Sequence, residues 1–179
     1  MVFPLDKDDK KYKIKESDLI PKKRDEGYKV LMEMLKNNIR ILYEYNLTGK
    51  INIDTKISKF WSNHRYYDNL ICTHILTIII GLIIYTAIII HTYNHDSTTK
   101  LISIITATII LLVLFFFEIR NLIRNINADN LNFIQTAVYY YNNYTMKISS
   151  DVDNQILFNN ITNIIVQIKA ITEEDNKNG

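Results

Sequence analysis

Charge vanishes from two stretches of this chain and gathers everywhere else. From Leu70 to Ile90 the sequence reads LICTHILTIIIGLIIYTAIII, 21 residues without Asp, Glu, Lys or Arg. From Leu101 to Phe117 it reads LISIITATIILLVLFFF, 17 residues of the same kind. A helix needs about 20 apolar residues to cross a hydrocarbon core, within a usable range of roughly 17–25. The β-branched content is high, yet a segment in lipid must bond all its backbone polar groups internally, so helix prevails over strand propensity. The ten residues between the stretches, His91 to Lys100, force an antiparallel hairpin.

The flanks predict helices with one apolar face. Residues 1–20 mix Lys and Asp with little periodicity and read as a flexible charged arm. Pro21 is expected to open a helix, with Asp25 and Glu26 in its first turn and Gly49 just past its end. Its apolar positions Tyr28, Leu31, Leu35, Leu42 and Tyr45 keep 3/4 spacing, with Asn38 in one slot. Asp54 is placed to cap a further helix, in which Ile57, Phe60, Trp61 and His64 lead into the first apolar stretch. After the second stretch Ile119, Ile123, Ile126, Phe133, Ala137 and Tyr144 keep the same spacing, with Asn130 in a slot. A break near Ser149, Ser150 and Asp151 precedes a last stripe of Leu157, Ile161, Ile164, Ile168 and Ile171. Such stripes belong to a coiled coil or a bundle, formed within one chain or between chains.

The expected fold is therefore an all-α membrane protein. Transmembrane helices at 70–90 and 101–117 form an antiparallel hairpin around a short outer loop, 91–100. Cytosolic and juxtamembrane helices at 21–69 precede it, and a cytosolic helical tail at 118–179 follows. Lys56, Lys59 and Arg65 before the first span, with Arg120 and Arg124 after the second, outnumber Lys100 in the loop. The positive-inside rule places both termini in the cytosol. With no apolar run in the first 20 residues, the first span is expected to act as the targeting signal. The sequons at Asn46, Asn143 and Asn160 then face the cytosol and stay unmodified. Trp61, Tyr66 and Tyr67 at one surface and Tyr93 at the other are the expected interfacial anchors.

Composition narrows the function classes. Of the 179 residues, 21 are basic and 19 acidic, so no single-sign field steers the protein to nucleic acid. One cysteine excludes a disulfide framework and a cysteine zinc site. Neither a Walker loop, HExxH, GxSxG nor a paired-cysteine pattern occurs, and the chain reads as non-catalytic, without a cofactor. The first 69 residues carry a net charge of +4 and residues 118–179 a net of −2, which favours their contact. The basic segment is also suited to anionic head groups.

The remaining candidates are polar residues in or beside the apolar stretches. An ionisable side chain inside a span marks a functional site by default. His74 either sits at the interface, bonded to the neighbouring helix, or joins Thr77, Gly81 and Tyr85 in a stripe lining a pore. Thr73, Thr77 and Gly81, and Thr99, Ser103 and Ala107, repeat every four residues, a spacing that lets helices associate closely. His91 and His95, followed by Asp96, form a weak metal-ligand pattern that lacks a fourth donor. Cys72, at the inner boundary, is either packed or a palmitoylation site.

The run FWSNHRYYDNL, a preceding helix, the two-span hairpin with its tiny loop and the helical tail together resemble the SLATT group of two-transmembrane effector domains. The likeness covers roughly residues 25–145. It implies an effector that oligomerises and permeabilises a bilayer on a cytosolic cue, here without a nucleotide-sensing domain. The residues alone support a second reading, a non-conducting interaction or scaffold component that self-associates through its cytosolic helices, such as a viral membrane component or an accessory subunit. Its expected partners are the lipid bilayer and either further copies of the chain or another protein.

Overall fold

Asp25 accepts a hydrogen bond from the backbone N–H of Tyr28, and this cap starts the first long helix. The chain, seen in a computed structural model, is described over residues 13–48, 55–92, 97–143 and 152–178. These form a 3-10 turn, Glu16–Leu19, and four helices: α1 (Glu26–Leu47), α2 (Thr55–Thr92), α3 (Ser97–Asn143) and α4 (Val152–Asn178). No strand occurs among the described residues. The molecule is all-helical, and α2 and α3 are each long and apolar enough to cross a membrane.

The helices build two compact units. One holds the described residues up to Trp61 together with those from Asn132 onward. Its core is Leu19, Leu35, Ile39, Leu42, Tyr43, Phe133, Ile161, Ile165 and Ile168, all essentially without exposure. The Tyr43 hydroxyl donates to Thr136 Oγ1 at 2.9 Å, because the Thr136 hydroxyl itself donates to the Asn132 carbonyl. The Tyr43 ring meets Trp61 at a centroid distance of 4.4 Å. Burial raises the Tyr28 hydroxyl pKa above its ordinary value, opposed by the Arg24 charge, and that hydroxyl donates to the Leu19 carbonyl.

Several expected boundaries move. The expected arm does not hold over its described part, because from Lys13 onward the chain packs: Ile14 and Leu19 are buried in the first unit's core, and residues 1–12 lie outside the described residues. The cause is Asn142, whose side chain bonds both the N–H and the C=O of Ile14. Helix α1 starts after Asp25 and not at Pro21, since the aspartate cap lies four residues further on. Its buried stripe is Tyr28, Met32, Leu35, Ile39, Leu42 and Tyr43; Ile39 takes the slot assigned to Asn38, which instead bonds the Met34 carbonyl. In α4 the buried stripe includes Leu157, Ile161, Ile164 and Ile168, with Ile171 partly covered. The expected loop shortens too, since His91, Thr92 and Ser97–Lys100 are helical. Gly49, Asp54, Tyr144 and the expected break at 149–151 lie outside the described residues.

The second unit, Ser62–Leu131, is the hairpin formed by most of α2 and most of α3. Its outer surface is apolar, with Ile79, Ile83, Ile90, Ile109, Leu112, Val113 and Phe116 each about half exposed or more. Covering such surface is worth about 25 cal/mol per Å².

Candidate functional site: the polar seam of the hairpin

One set of covered residues in α2 follows steps of three and four: His64, Tyr67, Ile71, His74, Ile78, Gly81, Tyr85, Ile89. A set in α3 does the same, through Ile104, Ala107, Leu111, Leu114, Glu118, Leu122, Asn125 and Asp129. This is the 3/4 alternation that keeps a seam facing a partner helix. Three side-chain bonds cross it. His64 Nδ1 lies 2.8 Å from Asp129 Oδ1, with both side chains about nine-tenths covered. His74 Nδ1 lies 2.5 Å from Glu118 Oε2. The hydroxyls of Tyr85 and Thr108 meet at 3.0 Å, and since Thr108 also donates to the Ile104 carbonyl, Tyr85 is the donor between them.

Each histidine nitrogen that faces an ionised carboxylate must carry the proton, because a carboxylate only accepts. The carboxylate therefore fixes the ring orientation. Burying a charged oxygen without such a donor costs several kcal/mol, so the two pairs offset what α3 would lose by turning its acids inward. Glu118 and Asp129 are the only acidic residues of α3, and both point into the seam.

No family model, curated protein or solved structure matches the chain. What the site can do rests on its own geometry.

Of the stripe of His74, Thr77, Gly81 and Tyr85, His74, Gly81 and Tyr85 meet α3. A Cβ on Gly81 would stand 3.4 Å from Leu114 Cδ2 and 3.7 Å from Leu111 Cδ1, so the glycine admits a close approach within the hairpin. Thr77 bonds its own helix at the Thr73 carbonyl, and Thr73 likewise at Asn69. Ala107 is buried and Ser103 half-buried, while Thr73 and Thr99 lie outside the seam. Trp61 is half-buried beside Tyr43, and Tyr66 and Tyr67 stack edge to face at 5.7 Å, Tyr66 being exposed. Cys72 and His91 are exposed. Tyr93, His95 and Asp96 lie outside the described residues, and no group of three metal-binding side chains occurs among the described ones.

Sequence reasoning missed Glu118, Asp129, Asn125 and Thr108. It expected Ile119, Ile123 and Ile126 on the packed side of α3; all three are exposed. The signal was present, though. The two histidines stand 10 residues apart on one side of the turn and the two acids 11 apart on the other. Antiparallel helices bring such sets together level by level.

Proposed function

We propose that the chain is a two-pass integral membrane protein, with both termini in the cytosol, serving as a non-catalytic interaction or scaffold component. One observation carries the reading. His74 and Tyr85 of the first apolar stretch reach across the hairpin, to Glu118 just past the second stretch and to Thr108 within it, and the large side chains exposed on the outward faces of the two stretches are mostly Ile, Leu, Val and Phe. In lipid that arrangement satisfies the polar groups and places the apolar surface where it is stable. In water the same outer surface would be a large exposed patch. The helices of the first unit are the surface offered to partners on the cytosolic side.

Cysteine labelling tests the topology. In a Cys72→Ser background, Ser97→Cys is expected to react with an impermeant maleimide in intact cells, and Ser58→Cys only after permeabilisation. Labelling of both without permeabilisation, or extraction of the protein by alkaline carbonate, sinks the reading.

The aromatic and basic run FWSNHRYYDNL supports a second reading, an oligomeric pore of the SLATT type. Under it the path runs along the His74 to Tyr85 stripe after the hairpin opens. Dye or ion release from liposomes carrying the purified chain, abolished by His74→Leu, would establish it. Release that survives His74→Leu removes the stripe from the lining, and no release at any density leaves the scaffold reading standing.

A further inference from the structure

Both acids of α3 face inward, and its two arginines of the same region do not. Arg120 and Arg124 are exposed, four residues apart, on the side of α3 away from His74 and His64. Neither guanidinium enters an ion pair with a described residue, because Glu118 and Asp129 are taken by the histidines. Like charges at this spacing destabilise a helix by a few tenths of a kcal/mol. An anion placed between them would remove that cost.

The surface there has a shape and a floor. Phe117, Arg120, Asn121, Ile123, Arg124 and Asn127 line an open concavity of about 550 Å³. Arginines bind phosphate oxygens through two parallel N–H bonds, and asparagine amides add neutral donors. One wall is Phe117, and behind it the exposed surface continues through Phe116, Val113 and Leu112 toward the middle of the apolar stretch. An inorganic anion would use only the arginines. A molecule with a phosphate at one end and acyl chains at the other uses the whole strip.

We propose that Arg120 and Arg124, with Asn121 and Asn127, form a binding site for the head group of an anionic phospholipid whose acyl chains lie along Phe117, Phe116 and Val113. The site rests on the membrane reading above. It sits where the second apolar stretch ends, at head-group depth, where each basic residue near an anionic surface adds about 1 kcal/mol.

The test is native mass spectrometry of the full chain released from nanodiscs of mixed phosphatidylcholine and phosphatidylglycerol. The expected result is retained phosphatidylglycerol on the wild-type chain and about tenfold less on Arg120→Gln/Arg124→Gln, equivalent to about 1.4 kcal/mol. Arg120→Lys/Arg124→Lys keeps the charge needed for insertion but loses the two-pronged contact, so it is expected to fall between them. Lys177→Gln removes one charge from the last turn of α4, outside the basic segment beside the spans, and is expected to leave retention unchanged. Equal retention by wild type and the glutamine variant, or an equal loss with Lys177→Gln, overturns the site. Inorganic phosphate binding as tightly as phosphatidylglycerol to the detergent-solubilised chain overturns the lipid assignment. A chain that never enters nanodiscs refutes the membrane reading instead, and the two failures are thereby distinct.

Discussion

His64 and Asp129 are covered to a similar extent, and neither finds water easily if the other is removed. Losing one partner of such a pair leaves a buried polar group to be solvated by the fold, which costs about 2–4 kcal/mol. Asp129→Leu is therefore expected to lower the denaturation midpoint of the full chain in detergent. Asp129→Asn, whose side-chain oxygen still accepts from Nδ1, is expected to fall much less. The double variant His64→Leu/Asp129→Leu should cost clearly less than the two single losses together, by about 1 kcal/mol or more. Additive losses would show that the pair is an accident of packing. At this scale the sequence was hardest to read. Periodicity assigns polar residues to the outside, and Ile119, Ile123 and Ile126 carried the expected stripe while Glu118, Asn125 and Asp129 are the residues that face α2. A hydrogen bond between residues 65 positions apart shows only when the spacings on the two helices are compared, ten residues between the histidines and eleven between the acids.

Elements were more legible than residues. An apolar run of 21 residues, another of 17 and a ten-residue connection leave few alternatives to two long antiparallel helices. In α4 a stripe stepping by fours and threes is packed as spaced, because its slots are filled by Leu and Ile. The N-terminal segment was missed since a single 3-10 turn carries no periodicity and its anchor, Asn142, lies 128 residues away. That anchor makes a prediction. Asn142→Ala removes both bonds to the Ile14 backbone. The segment around Glu16–Leu19 should then open to limited proteolysis at Lys13 and Lys15, while cleavage within α1 and α4 stays unchanged. Protection equal to wild type would mean that Leu19 and Ile14 hold the segment by burial alone.

At the scale of the molecule, two helices per chain enclose no path by themselves. The scaffold reading expects a monomer or dimer when the chain is weighed in lipid nanodiscs, and a closed assembly of four or more chains would favour the pore. The hairpin itself has a property that bears on either state. Ten residues of α2 separate His64 from His74 while eleven of α3 separate their acids, and the next level, Tyr85 with Thr108, reverses the count. A seam of Ile and Leu alone would let one helix slide a heptad, about 10 Å, into an equally oily groove. Here that slide would take every tooth out of its notch at once. Sliding one helix against the other breaks all three of these bonds together, so the seam favours a single register between α2 and α3.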